Sequence, residues 1–301
     1  MGGLKHRLLY SDAWFKQLMV LPLQAMIWAI LIVPLCIAIY ISFLDWQPIS
    51  GREWWQAPFA GLANYRRALQ DPRLQGAFIR TVILVLSVVS IELLLGLALA
   101  VLFNRRFPAR RVYSSILLFP MMLPWVVVGL IFFLLFIEQG PINYLLTQIF
   151  GPDGRVNWLG RPVLALFAIG VGDVWQWTPF MFLVIYSALG AVPLEPVEAA
   201  KTLGAGDWQI FRRITLPAIR QVILIAVLIR GLEAFKIFDL IFIMTGGGPG
   251  TSTESISLYL YRTGFEFGQL SFAAAAAVMV LVFVVIVTWL ALRPLRAEVE
   301  P

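Results

Sequence analysis

The sequence predicts an all-α polytopic membrane protein with six membrane-crossing helices, and three observations predict it. Of the 301 residues, 60% are hydrophobic and 13% charged, against about 45–50% and about 25% in soluble domains. Six apolar runs reach the roughly 20 residues that a helix needs to cross a bilayer. The basic residues fall in short clusters between those runs, as membrane topology dictates. A net charge of +6 spread in this way points to the lipid bilayer as a partner and away from nucleic acid.

The first run, about 19–44, follows Lys5, Arg7 and Lys16. It is longer than the core of a signal peptide and lacks a clean small-residue cleavage site, so it reads as an uncleaved span. The loop after it, "DWQPISGREWWQAPFAGLANYRRALQDP", carries Trp46, Trp54 and Trp55, which suit the headgroup level. The next runs cover about 77–103, 112–137, 162–190, 218–244 and 269–292. Pro34, Pro120, Pro124 and Pro179 fall inside runs. A membrane bundle tolerates them because neighbours or water satisfy the freed backbone groups, and they often mark kinks beside a cavity. Between the third and fourth runs, "EQGPINYLLTQIFGPDGRVNWLGRP" holds a short amphipathic piece and then turn residues at "GPDG". The predicted organisation is a tail (1–18), a first span with its outside loop (19–76), a five-helix core (77–292) containing a charged loop (191–217), and a second tail (293–301).

Lysine and arginine set the expected orientation. With the N-terminus inside, the inside segments hold Lys5, Arg7, Lys16, Arg105, Arg106, Arg110, Arg111, Lys201, Arg212, Arg213, Arg220, Arg293 and Arg296. The outside segments hold Arg52, Arg66, Arg67, Arg73, Arg80, Arg155, Arg161 and Arg262. The bias favours both termini inside. Cys36 is the only cysteine and His6 the only histidine. A disulfide framework, a thiol metal site and most triad chemistry are therefore excluded, and no metal is expected.

The charged loop reads as two short helices. In "VPLEPVEAAKTLGAG", Pro196 suits a first helical position and Glu198 the first turn, where the helix dipole favours an acid. Gly204-Ala205-Gly206 ends that helix, and Asp207 is placed to cap a second one, "WQIFRRITL". Pro217 opens the fifth span. The expected product is a surface helix-turn-helix with a small-residue face at Ala199, Ala200, Gly204 and Ala205. A plain amphipathic connector would read similarly.

Ionisable residues inside spans are costly, at about 2.5–3.5 kcal/mol each on insertion scales, and usually functional. The fifth span carries Arg230, Glu233, Lys236 and Asp239, the fourth Asp173, the second Glu92. The fifth-span charges alternate in sign every three residues, so neighbours can pair along the helix. They either line a water-filled path or form an ion-pair network that locks packing. Glu92, standing alone, reads as a polar tie between helices. "DVWQWTPFM" adds Gln176, Trp177 and Phe180 to Asp173; aromatic faces beside a few hydrogen-bonding groups suit a sugar ring, while Trp175 and Trp177 also fit interfacial anchoring or core packing.

Three stretches resemble a known family. "EAA…G…I.LP", at Glu198, Ala199, Ala200, Gly204, Ile214, Leu216 and Pro217, resembles the EAA loop of permease subunits of bacterial ATP-binding-cassette importers. "FDLIFIMTGGGPGTSTESISLYLYRTGFEFGQLSFAAAAAVMV" and "GLANYRRAL…DP" resemble the carbohydrate-uptake branch, the maltose and glycerol-phosphate type. Leu203 stands where that branch often carries Asp. The resemblance implies a type I importer permease fold in the bacterial inner membrane, with a cytoplasmic coupling helix that docks on a separate ATPase. The docking set it implies is Glu198, Ala199, Ala200, Gly204, Ala205, Ile214, Leu216 and Pro217. It also implies a second homologous permease, an ATPase dimer that binds ATP and Mg, and an external solute-binding protein. By the same resemblance, Asp173, Gln176, Trp177, Phe180, Arg230, Glu233, Ala234 and Ile237 line the path of a sugar or sugar-like solute, with glycerol phosphate or another anion as the alternative.

This chain is not expected to be an enzyme or to hold a cofactor. "GGGPG" at 246–250 lacks the spaced Gly-Lys-Ser/Thr of a nucleotide loop. An ion-gradient transporter is the rival reading, with Glu92, Asp173 and Glu233 as coupling acids, but the paired, interrupted helices of two related halves are not seen.

Overall fold

The computed structural model describes residues 12–105 and 107–297. Lys5, His6, Arg7, Arg106 and residues 298–301, assigned above to the tails and an inside cluster, lie outside the described residues, as do the side chains of Lys16 and Arg296. Six stretches are long and apolar enough to cross a membrane: Met19–Ser42, Pro72–Phe103, Trp125–Phe150, Pro162–Gly190, Asp207–Phe235 and Leu270–Arg293. The chain divides into two compact units, Met1–Gln70 with Leu260–Phe283, and Asp71–Tyr259 with Val284–Pro301.

In the first unit, helix α1 (Asp12–Ser42) contains Pro22 and Pro34. The loop after it folds back through a bridge between Leu44 and Phe59. Asn64, in helix α2 (Ala63–Gln70), donates to the carbonyls of Ser42 at 3.0 Å and Leu44 at 2.8 Å, so backbone groups freed at the end of α1 are satisfied. Arg67 donates to Gln269 at 2.8 Å and lies 4.3 Å from the Phe272 ring.

The second unit begins with α3 (Pro72–Phe103), capped by Asp71, whose carboxylate accepts from the amides of Arg73 and Leu74. The other Asp71 oxygen accepts from Tyr259 at 2.7 Å. Arg73 forks onto Glu254 at 2.8 and 2.6 Å. The Thr81 hydroxyl accepts the Ile256 amide. These bonds clamp the 253–259 segment to the start of α3.

Helices α4 (Arg110–Leu118), α5 (Trp125–Phe136) and α6 (Pro141–Phe150) follow. The run expected as one span over 112–137 is broken: a 3₁₀ turn at Phe119–Met122 and an extended Leu123 separate α4 from α5. The break follows from the two prolines: neither Pro120 nor Pro124 has an amide hydrogen to donate to the turn before it, and Pro124 disfavours helix at Leu123, which is extended. Helix α7 (Pro162–Gly190) contains Pro179 without ending there.

Helices α8 (Leu194–Thr202) and α9 (Asp207–Ile210) form the charged loop. A π-helical turn at Phe211–Thr215 joins α9 to α10 (Leu216–Phe235). The fifth span expected over 218–244 therefore starts earlier, and its helix stops at Phe235. Lys236–Phe238 intervene before α11 (Asp239–Met244), and the Ile237 carbonyl is taken up by the Ser255 hydroxyl at 2.8 Å. Helices α12 (Ile256–Tyr261) and α13 (Leu270–Ala297) complete the chain.

Helices α3 and α7 pack closely because Gly96 leaves room: a Cβ there would meet the Met181 Cβ at 2.5 Å and the Phe182 amide nitrogen at 2.9 Å. The third member of this packing is α10, attached by a buried ion cluster. Arg230 donates through Nε to Glu92 at 2.8 Å and through Nη2 to Glu92 at 2.9 Å, and the same Nη2 contacts Asp173. All three side chains are fully buried. Pairing along the helix, expected for the fifth-span charges, holds for Glu233 and Lys236 at 2.8 Å. Arg230 instead reaches across to α3 and α7, where two buried carboxylates compensate it.

Two stability predictions follow from this packing. Gly96→Ala forces α3 away from α7 and should cost about 1–3 kcal/mol, the usual penalty of overpacking, read as a lower melting temperature of the purified protein. Arg230→Met leaves two buried carboxylates uncompensated and should cost about 3–5 kcal/mol. The triple replacement Glu92→Leu, Asp173→Leu, Arg230→Met should recover most of that loss in the same melt, since apolar substitution of a whole buried ion cluster is often neutral or stabilising.

Candidate functional site

Asp173, Gln176, Trp177 and Phe180 stand at i, i+3, i+4 and i+7 of α7, one stripe of a helix. The stripe meets Arg230. The guanidinium carbon lies 4.9 Å from the Trp177 ring centroid, so the cation sits over an aromatic face as well as between two carboxylates. Trp177 also packs against Trp125 at 5.4 Å and Phe180 at 5.9 Å between centroids. Gln176 donates to the Leu123 carbonyl at 3.0 Å, which satisfies the backbone at the Pro-induced break before α5.

Polar capacity remains at this stripe. Asp173 Oδ1, Gln176 Oε1, Trp177 Nε1 and Arg230 Nη1 are buried and make no hydrogen bond within the described chain. A buried polar atom without a partner costs about 1–3 kcal/mol. Two donors and two acceptors in this condition, gathered about one turn of α7 and one arginine, mark a place that a polar molecule can complete.

Of the eight path candidates named from the sequence, the structure brings together Asp173, Gln176, Trp177, Phe180 and Arg230. Ala234 and Ile237 lie in the apolar core, 1% and 4% exposed. Glu233 is paired with Lys236 on a partly exposed surface. Trp125 and Glu92 join the cluster without having been named for the path. Trp125 directly follows Pro124 and is the one tryptophan of the 112–137 run, which is the signal the sequence offered for it. Trp175 points elsewhere: with Ile83, Leu95, Ile116 and Phe167 it lines a groove of about 890 Å³ between α3, α4 and α7. That groove is apolar except for Arg80, Ser87 and Thr178, and none of the eight candidates lines it. This groove is therefore not where the hydrogen-bonding chemistry of the stripe lies.

The second site is the loop at 194–217. Helix α8 begins at Leu194, two residues before Pro196, so Glu195 occupies the first turn and Glu198 the second. The helix ends in a Schellman motif: the Ala205 amide bonds the Ala200 carbonyl and the Gly204 amide the Lys201 carbonyl, both at 3.0 Å. This closure requires the left-handed backbone of Gly204, at φ +81. Gly206, not Asp207, caps α9, and its amide is bonded by the Gln209 side chain at 3.3 Å. Asp207 is the first helical residue, where its charge still favours the positive helix end.

Ala199 and Gly204 are exposed, Ala200 and Ala205 half-buried, and Ile214 and Leu216 half-buried beside exposed Glu198 and Pro217. Beside this small-residue face stand large exposed apolar side chains: Leu203 at 87%, Trp208 at 69% and Leu194 at 68%. Trp208 is held by stacking on Phe211 at 5.7 Å. Leu203 entered the sequence analysis only as a departure from a motif, and Trp208 was not singled out.

Comparison with known proteins gives both sites a context. Residues 92–293 match the family described as binding-protein-dependent transport system inner membrane component. The trehalose/maltose transport system permease protein MalF of Thermococcus litoralis is 35% identical over 256 residues, 84% of each chain. The sulfoquinovosyl glycerol transport system permease protein SmoG of Agrobacterium fabrum is 33% identical over 289 residues, 96% of this chain and 92% of the relative. A chain from the crystal structure of a bacterial ABC transporter involved in the import of the acidic polysaccharide alginate superposes with a TM-score of 0.82, covering 95% of this chain and 96% of the other at 22% identity. That likeness extends the fold over nearly the whole chain. This protein belongs to the family of inner-membrane components of binding-protein-dependent transport systems.

Proposed function

We propose that this chain is the membrane-spanning subunit of an ATP-driven sugar importer and forms half of a translocation path beside a second, homologous permease. Sugar is the class favoured by relatives named for trehalose/maltose and sulfoquinovosyl glycerol transport, and by the aromatic and hydrogen-bonding stripe on α7. The observation that carries the coupling role is the exposed helix-turn-helix at 194–215, closed at Gly204 and bearing Leu203 and Trp208 outward. Exposed apolar residues beside a small-residue face suit a protein cleft, since such groups are otherwise costly to leave in water.

In this reading a pair of ATPase subunits binds ATP and Mg and grips the loop. A solute-binding protein delivers sugar on the opposite side. The basic clusters support a cytoplasmic side for the loop and both termini. Closure of the ATPase pair moves the loop. Residues 207–235 run as α9, a π turn and α10 without an intervening coil. At 1.5 Å per residue, about 35 Å of helical rod separates Asp207 from Arg230. Displacement at the loop is thereby delivered to the ion cluster that joins α10 to α3 and α7. The switch between inward- and outward-facing states is a population shift, driven by ligands that bind the two states differently. Ion-gradient coupling is disfavoured by the family, and Glu92 and Asp173 are already engaged by Arg230.

Expressed with its neighbouring subunits, the chain should co-purify with an ATPase. Gly204→Leu imposes a left-handed backbone on a residue with a Cβ, at about 1–2 kcal/mol, and should open the Schellman closure. It should reduce solute-stimulated ATP hydrolysis about tenfold or more, by the 1.4 kcal/mol-per-decade relation, while the melting temperature of the spans stays within a few degrees. Glu198→Ala should weaken ATPase assembly in the same pull-down. Normal assembly and coupling in both variants, or uptake that survives ATP depletion and collapses with the ion gradient, would contradict the proposal.

A further inference from the structure

We propose that the groove between α3, α4 and α7 is a phospholipid site. It takes an acyl chain from the leaflet opposite the 194–217 loop, and Arg80 and Arg161 at its mouth receive the phosphate of an anionic headgroup. The groove lies within the second unit and shares no residue with the α7 stripe or the Arg230 cluster, so it stands apart from the solute and from its path.

The ends of the groove match the levels of a bilayer. Helix α3 ends at Phe103, and Arg105, Arg110 and Arg111 follow it, which marks one headgroup level. Arg80 stands 23 residues before Phe103, about 35 Å away at 1.5 Å per residue. The hydrocarbon core is about 30 Å thick, so Arg80 reaches the opposite headgroup level. From there the lining follows α3 through Ile83 and Ile91 to Leu95, about 22 Å of helix. Helix α7 runs beside α3 in the same sense: Gly170 faces Leu84 and Val88, and Met181 faces Gly96. Its part of the wall extends from Val163 to Pro179, about 24 Å. Ile83, Ile91, Ile116, Val163 and Phe167 form an exposed apolar rim. The Ser87 hydroxyl turns back onto the Ile83 carbonyl at 2.7 Å, which leaves its part of the wall apolar.

An apolar wall alone would suit any neighbour in a membrane, and the arginines decide between them. Arg80 is fixed in place. Its Nε donates to the Glu254 carbonyl at 3.2 Å, and its guanidinium lies over Gly76, where a Cβ would meet Nη1 at 2.8 Å. No acid pairs with it. The Glu254 carboxylate is taken by the fork of Arg73 at 2.8 and 2.6 Å, Asp71 caps α3 and accepts from Tyr259, and Arg80 Nη2 makes no hydrogen bond. Arg161, two residues before Val163, is exposed, and neither arginine is in an ion pair among the described residues. Two cations without carboxylates at one mouth of an apolar groove complement a molecule with an anionic head and a hydrocarbon tail. An arginine fork matches phosphate oxygens, and basic pockets between membrane helices hold lipid headgroups. A helix of a second permease would cover the wall but offer the arginines nothing. A free phosphate would meet the arginines and leave the wall bare.

The test uses the complete complex, this chain with the subunits that co-purify with it, in phosphatidylcholine vesicles. A small amount of phosphatidylglycerol, or of phosphatidylcholine, carries a nitroxide near the end of one acyl chain. Electron paramagnetic resonance reads the motionally restricted fraction of each. Phosphatidylglycerol should associate about tenfold more strongly than phosphatidylcholine. The double variant Arg80→Gln, Arg161→Gln should lower that preference about fivefold, since basic residues at the other membrane face keep their own share. The variant Arg80→Lys, Arg161→Lys keeps both charges and should hold the preference within about twofold. Gly170→Leu puts a side chain into the groove with both arginines intact, and should lower the preference about as far as the glutamine variant. Ile91→Trp repeats the block from the α3 wall if Gly170→Leu fails to fold. A preference that all these variants leave unchanged overturns the inference. So does one lost with the arginines but kept in the blocked variants, because the headgroup would then bind without its chain. Ile91→Cys in a Cys36→Ser background supplies the last arm: a short bismaleimide that joins it to a second permease in most complexes puts a protein helix over the groove and overturns the inference, whereas an unjoined Ile91→Cys agrees with a lipid there.

Discussion

The arrangement of the second unit depends on one constraint: a guanidinium fully removed from water must be compensated on the spot. Desolvating an arginine and two carboxylates is expensive, and their attraction offsets that cost only where geometry and hydrogen bonding are good. Arg230 meets the condition with a bidentate fork to Glu92, a contact to Asp173 and the face of Trp177. Because Glu92 belongs to α3, Asp173 to α7 and Arg230 to α10, the requirement sets the rotation of all three helices about their own axes. A turn of any one helix by a single residue, about 100°, would leave a buried charge without its partner. A purely apolar interface would tolerate such slippage far better, since dispersion and burial have little direction.

The constraint also explains where polar capacity is left over. A planar fork that satisfies one carboxylate with two nitrogens has its third nitrogen, Nη1, directed away from that pair. Asp173, engaged through one oxygen, keeps the other free. The unpartnered atoms at the stripe are thus a by-product of three groups meeting with unequal hydrogen-bonding valence. Gln176 and Trp177 add to them because α7 repeats every three to four residues along the same face. On the proposed solute-path reading, this mismatch leaves hydrogen-bonding capacity for a transient occupant.

How much of this was legible in the sequence varies by feature, for physical reasons. Six spans were legible, because hydrophobic length is a one-dimensional property and a bilayer enforces it. The break at Pro120 and Pro124 was visible as residues but read as kinks, since a kink and a full interruption differ in whether neighbours rescue the backbone. Here the Leu123 carbonyl is rescued by Gln176, 53 positions away. Arg230 looked able to pair with Glu233 three residues on, and spacing favoured it. Burial decided otherwise: Lys236 and Glu233 sit on the exposed surface of the chain, and Arg230 faces the inside of the bundle, where Glu92 and Asp173 wait on other helices. Which face of a span points inward is weakly encoded when every face is apolar. The loop was legible as helix-turn-helix from Gly204, but its first helix starts two residues earlier than Pro196 suggested. The exposure of Leu203 and Trp208 could not be read at all, because apolar residues in a sequence carry no label for outside.

The packing of the three helices is unequal, and the inequality matters for motion. Over their apolar windows, α7 is 56% buried within the chain and the 207–235 stretch only 17%. Helix α3 is pressed to α7 at Gly96 and held at its start by Asp71, Arg73 and Thr81. Helix α10 buries only Ile219, Ala226, Arg230 and Ala234. Two of these are alanines, with little area to hold it in place at about 25 cal/mol per Å². The pair α3–α7 is therefore the stiff frame, and α10 is the element that can move against it. Its attachment is concentrated in Arg230, a directional contact that is either made or broken. Apolar side chains would instead slide by degrees. A π turn at 211–215 lies between the exposed loop and this helix; such turns carry an extra residue per ring and are often sites of adjustment. A rod that is loosely packed along its length, gripped at one end by the loop and latched near the other by one buried arginine, has the mechanical character of a two-state switch. On the proposed importer reading, the ion cluster that sets the register of the helices is also the contact whose exchange defines the switch.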